Sequence, residues 1–122
     1  MAYGATESYI KSNSNTIYAF LKAIAEAVVV SQRDVALTKK AIAKYTKTDD
    51  PQLIDETYVQ YAPYWPMNLA VQREAIQAGL SYLDEKEFPQ AKAADAREFF
   101  DNSFVDSLER AGFFKSIGFI KP

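Results

Sequence analysis

The chain has 122 residues and a mass of 13.7 kDa, enough for one domain built on a single core. Hydrophobic residues make up 48%, charged residues 25% and aromatic residues 14%, the profile of a folding sequence and not of a disordered tail. Fourteen Lys and Arg face sixteen Asp and Glu, and a net charge of -2 argues against a dedicated nucleic-acid binder.

The missing residue types exclude more. There is no Cys, hence no disulfide framework, no thiolate nucleophile and no structural zinc site of the usual kind. There is no His either, which removes Ser-His-Asp and Cys-His catalysis, His metal sites and His-based pH sensing. Residues 1–7 hold neither a basic nor an apolar leader segment, so no signal peptide is expected in this chain. The most apolar stretch, residues 17–30, is interrupted by Lys22 and Glu26 and is too short to span a bilayer. A soluble chain with no membrane insertion is expected.

Charge is unevenly spread. Residues 1–47 carry seven basic and three acidic side chains, whereas residues 48–122 carry seven basic and thirteen acidic ones. Lys39, Lys40, Lys44 and Lys47 form the sharpest basic cluster. They would suit a phosphate or membrane patch, but cations at the C-terminal end of a helix, complementing its dipole, are the plainer explanation.

Glycine occurs four times, about half of average usage, and helix-period patterns follow one another along the chain. The first starts at the cap candidates Asn13 and Ser14. It aligns Ile17, Phe20, Leu21, Ile24 and Val28 on one apolar face. The second runs from about Asp34 to Thr46, with Val35, Leu37, Ala41, Ile42 and Tyr45 expected inward. The pattern leaves open whether the two are joined. A weak capping box spans Ser31 to Asp34, yet Val28, Val35 and Ile42 keep phase across it. A break near Ser31 is favoured, since a helix of about thirty residues is rare in a small domain.

The third helix has the clearest start: Asp50 stands at the cap and Pro51 at the first helical position. Leu53, Ile54, Thr57, Tyr58 and Tyr61 are expected to be its buried face, and Pro63 and Pro66 to stop it. A fourth helix is expected over about residues 69–83, with Ile76, Leu80 and Leu83 inward and Gly79 allowing a close neighbour. Residues 84–100 are acidic and irregular. A last helix starts at Asp101, Asn102 or Ser103 and buries Phe104, Val105 and Leu108. It ends at Gly112 in a left-handed cap, with Phe113 folding back on Leu108. Residues 116–120 read as a short extended tail. The expected fold is all-α, about five helices in a compact bundle, a single domain over residues 1–122.

Chemistry is sparse. No glycine-rich phosphate loop precedes any helix. The carboxylate pairs Asp49/Asp50, Asp55/Glu56 and Asp84/Glu85/Glu87 fall at helix ends or on polar faces, where solvated surface is the expected state. Asp84 and Glu87 lack the ligand count and the glycine of a calcium loop. No catalytic residue, metal site or cofactor is expected. The aromatic segment from Tyr58 through Tyr61, Tyr64 and Trp65 is the one candidate site, able to line a pocket for a small apolar or cationic ligand. Against that, Tyr58 and Tyr61 also suit a core, with Tyr64 and Trp65 covering a turn. Phe99, Phe100, Phe104, Phe113 and Phe114 read as core or interface, an aromatic surplus that hints at a second chain or a missing part.

Two stretches carry a family pattern: residues 44–66, KYTKTDDPQLIDETYVQYAPYWP, and residues 88–114, FPQAKAADAREFFDNSFVDSLERAGFF. With residues 20–27 they resemble the C-terminal part of ABC-transporter solute-binding proteins of the nitrate, sulfonate, taurine and thiamine-pyrimidine-precursor type. The matching positions are the "KYT" helix end, the Asp-Pro start, the Tyr58 to Tyr61 close, and Asp101, Asn102, Phe104, Val105, Gly112 and Phe113. The resemblance covers most of the chain, and its motifs are caps and core positions.

The resemblance implies the helical C-terminal portion of a type II periplasmic binding protein, a fragment of a larger two-lobed protein. It implies a substrate-binding component of an ABC importer for a small organic anion or a nitrogen or sulfur compound, periplasmic, with an ABC permease as partner and no catalysis. Ligand-contacting positions do not carry over, because the strands and loops that supply them in the family are not in this chain. The thiamine-pyrimidine chemistry of one branch needs a histidine, which this chain lacks. The second expectation is a stand-alone helical interaction domain that homodimerises through its exposed aromatic surface. Its partners are accordingly the missing lobes or a second copy of itself.

Overall fold

A computed structural model of the chain describes residues 3–65 and 69–119. It is all-helical: the described residues contain no strand. Seven α-helices follow one another: α1 (Glu7–Ser12), α2 (Ser14–Arg33), α3 (Val35–Thr46), α4 (Pro51–Tyr61), α5 (Arg73–Ser81), α6 (Ser103–Arg110) and α7 (Phe113–Ser116). Three 3-10 turns, Ala62–Tyr64, Ala91–Ala93 and Ala96–Phe99, fill the connections. The helices beyond the expected five are the short α1 and α7.

Local chemistry explains most boundaries. Thr6 caps α1 by accepting the Tyr9 N–H, and Lys11 pairs with Glu7 one turn away at 2.5 Å. Asn13 joins α1 to α2, but its side chain donates back to the Tyr9 carbonyl and does not cap α2. The break between α2 and α3 falls at Asp34, three residues after Ser31. Asp34 accepts the Leu37 N–H at 2.9 Å and so starts α3 itself. Lys47 closes α3 in the left-handed conformation at φ 55. Asp50 caps α4 with bonds from Gln52 and Leu53, and Pro51 takes the first position, both as expected.

The fourth expected helix is shorter than its pattern. It begins at Arg73, because the Asn102 side chain bonds both backbone groups of Val71 and draws residues 69–72 out of helical geometry. Leu83 is 39% exposed and does not turn inward, since α5 ends at Ser81. The expected extended tail is a helix end and turn over residues 116–118, closed by Gly118 at φ 71. Pro66, expected as a helix stop, and residue 120 lie outside the described residues.

The core sits where α6 and α7 cross α2. Ala25, fully enclosed, meets Val105, Leu108 and Phe114, with Tyr18, Leu21, Phe113 and Ile117 packed around them. Ala25 has no exposed surface, so a larger side chain there would have to displace its neighbours. A second, smaller contact buries Leu80 of α5 with Ala91 and Ala96 of the following turns. No large side chain is completely enclosed among the described residues.

Several residues expected inward face solvent. Tyr45 is 79% exposed, and Val35, Leu37, Leu53 and Tyr61 are all exposed. The buried position of α3 is Thr38, which satisfies its hydroxyl on the carbonyls of Asp34 and Ser31. This polar group anchors the α2–α3 corner without an apolar ridge. The chain exposes 9026 Å² in all, against about 6,600 Å² for a closed monomer of this mass by surface-to-mass scaling.

Candidate binding groove

The expected apolar face of α2 is present, and its Leu21 packs on the core, but most of the face turns elsewhere. Ala25 and Val29 are the buried positions of that helix. Ile17, Phe20, Ile24 and Val28 are rotated away from them and line one wall of an open groove of about 1140 Å³. Tyr3 extends this wall, its ring packed edge-on to Phe20 at 4.9 Å between centroids. Phe20 remains 42% exposed and Tyr3 51% exposed.

The opposite wall comes from the chain entering α6. Phe99, Phe100 and Phe104 line it, with Glu98 and Asp101 at its rim. Tyr18 meets Phe104 edge-on at 4.9 Å and ties the two walls together at the base. Leu21, Leu69 and Val105, which belong to or pack on the core, form the floor. The Asn102 clasp on Val71 holds this wall in place: the Val71 N–H donates to Oδ1 at 2.9 Å and Nδ2 donates to the Val71 carbonyl at 3.0 Å.

The three candidate residues do not converge. Trp65 lines the groove and is half-buried. Tyr61 and Tyr64 are 55% and 82% exposed and stand outside its lining. Tyr58 is half-buried elsewhere, its hydroxyl 3.5 Å from the Ser31 carbonyl and its ring beneath the Lys39 ammonium at 5.8 Å. Of the phenylalanines read as core or interface, Phe114 is core, whereas Phe99, Phe100 and Phe104 belong to the groove. The α2 face in the groove was legible as a stripe. Its pairing with residues 98–104 was not, because no local signal brings segments some eighty residues apart together.

Three charged groups are displaced by their ion-pair partners. The Arg97 guanidinium lowers the Asp95 carboxyl to about 2 through side-chain and backbone hydrogen bonds, and Asp95 in turn raises Arg97. Lys11 lowers Glu7 by a hydrogen bond and by charge. All three are displaced toward their charged forms; Glu7 lines the groove, whereas Asp95 and Arg97 stand outside its lining. Lys39, Lys40, Lys44 and Lys47 do not form a patch on the groove: Lys39 pairs with Asp55 at 2.8 Å, and Lys44 lies over Tyr45. Among the described residues, no three acidic side chains gather as a metal cluster, and no helix is long and apolar enough to cross a membrane.

Comparison of the chain with known protein families, with curated proteins and with solved structures found no match in any of the three.

Proposed function

We propose that the chain is the helical C-terminal part of a solute-binding component of an ABC importer, acting in the periplasm on a small organic anion or a nitrogen or sulfur compound. The reading comes from the sequence resemblance of residues 44–66 and 88–114. One structural observation carries it further: the apolar face of α2 lines an open groove, and the chain exposes about 2,400 Å² more than a closed monomer of its mass. A two-lobed protein would supply the chain that covers such a face. In this role the helices support a ligand site built largely by the other lobes. Binding without catalysis is the chemistry proposed, as the resemblance implies.

The test is the DNA around the coding segment. Two α/β lobes with a leader in the same frame upstream, or adjoining permease and ATPase genes, would support the import role. Flanking sequence with neither would remove it.

A further inference from the structure

We infer that the α2–α3 corner is a hinge: Asp34 and Thr38 latch a bend in a stretch that the rest of its sequence would run as one straight helix over residues 14–46. The inference does not depend on the import role, because it uses only bonds within α2, α3 and α4.

Residues 14–46 contain neither Gly nor Pro, and Asp34 is their one non-helical residue, at φ -112 and ψ 83. Its backbone belongs to both helices: its N–H donates to the Val30 carbonyl at 2.8 Å, and its carbonyl accepts the Thr38 N–H at 3.0 Å. The apolar pattern ignores the bend. Positions spaced alternately four and three apart carry Ile17, Leu21, Ile24 and Val28 before it, and Val35, Ile42 and Tyr45 after it. The two polar members of this series, Ser31 and Thr38, lie on either side of Asp34 and hold the corner together: the Thr38 hydroxyl donates to the Ser31 carbonyl at 3.1 Å. The bent fold leaves much of the far end of the series outside, with Val35 41% and Tyr45 79% exposed.

Straightening exchanges bonds as well as breaking them. The Ser31 carbonyl would pass from the hydroxyls of Thr38 and Tyr58 to the Val35 N–H, its partner in an unbroken helix. The Leu37 N–H would pass from the Asp34 carboxylate to the Arg33 carbonyl. Thr38 keeps its bond to the Asp34 carbonyl, a contact within one turn at 2.8 Å. Helix α4 would travel with α3, because Lys39 pairs with Asp55 at 2.8 Å and lies over the Tyr58 ring. The straight form lengthens the α2 wall of the groove by Val35 and Ile42. A chain that covers the longer stripe better than the shorter one therefore draws the equilibrium toward it.

The experiment reads the distance between spin labels at Asn15→Cys in α2 and Lys40→Cys in α3, both exposed positions in a chain with no other Cys. The labelled chain is diluted with unlabelled chain, so that only pairs within one molecule count. A straight helix sets these two Cα atoms about 38 Å apart, and a bend brings them nearer. With Asp34 and Thr38 in place the shorter distance is expected. Asp34→Ala combined with Thr38→Val removes both latches and is expected to move about half or more of the pairs to the longer distance. Asp34→Asn, which keeps a capping oxygen, is expected to stay bent. Amide exchange at Val35 should slow in the double variant, because that N–H gains a helical partner; a corner that merely loosens would speed it. If the double variant does not fold, Asp34→Ala alone is read in the same way. Four results would each overturn the hinge: a folded variant that keeps the short distance, a broad spread of distances with faster Val35 exchange, an Asp34→Asn chain as straight as the double variant, or a chain already straight with both latches present.

Discussion

Asn102 and Val71 form a closed pair across 31 residues of chain: the Asn102 carboxamide accepts from the Val71 N–H and donates to the Val71 carbonyl, at 2.9 and 3.0 Å. The arrangement gives a short loop the pairing that a neighbouring strand would otherwise supply. It also explains why residues 69–72 are not helical and why α5 starts at Arg73.

Replacing this side chain therefore leaves two partly buried backbone groups without their partner. Asn102→Ala is expected to cost about 1–3 kcal/mol, measured by urea unfolding, since orphaned polar groups carry their desolvation cost. Hydrogen exchange at the Val71 amide should accelerate in the same variant. An unchanged midpoint and unchanged exchange would mean that water replaces the carboxamide at no cost.

Local signals were legible where one residue acts on its near neighbours. Asp50 and Pro51 start α4, and Gly112 at φ 72 ends the α6 turn, as their positions in the sequence led one to expect. The stripe Ile17, Phe20, Ile24 and Val28 was legible as an apolar face but not as the wall of a groove. Periodicity identifies which residues share a face; what that face meets is a property of the whole chain. The start of α5 is not legible for a related reason, because the controlling residue, Asn102, lies 31 positions from Val71. Of the aromatic candidates, Trp65 reaches the groove. Tyr61 and Tyr64 do not: they are 55% and 82% exposed and stand outside its lining.

Two adjacent carboxylates at the start of α4 should behave differently. Asp50 accepts the N–H groups of Gln52 and Leu53, whereas Asp49 stands outside the cap position. Asp50→Ala is expected to lower stability by about 1 kcal/mol, and Asp49→Ala to change it by less than about 0.5 kcal/mol. Equal losses in paired thermal melts would show that general charge near the helix end matters more than the cap geometry.

The Asp95–Arg97 pair makes a pH prediction whose sign is set by its depressed carboxyl. The folded-state value is about 2, below the ordinary 3.8, so the pair's contribution is present above pH 4 and is lost as pH falls through 2. Asp95→Asn keeps an oxygen for the Arg97 N–H and removes the charge. The wild-type chain should melt higher than this variant at pH 7, and the difference should shrink toward nothing at pH 2. A gap that stays constant across that range would assign the effect to something other than ionisation.

Gly112 and Gly118 share a left-handed backbone, φ 72 and 71, but not their surroundings. A Cβ on Gly112 meets nothing within 4 Å, so Gly112→Ala should show only the backbone cost of about 1–2 kcal/mol. A Cβ on Gly118 would lie 2.1 Å from the Arg33 guanidinium, which donates to the Gly118 carbonyl at 3.3 Å. That guanidinium is the far end of a flexible side chain, so it can move aside, and the contact with α2 is lost when it does. Gly118→Ala is therefore expected to be the more costly of the two in the wild-type background. In an Arg33→Ala background the excess should vanish, because there is no guanidinium left to displace. Urea unfolding of the four chains in this cycle measures the coupling directly. A coupling energy indistinguishable from zero would show that the Arg33 contact contributes nothing to holding the end of the chain on α2.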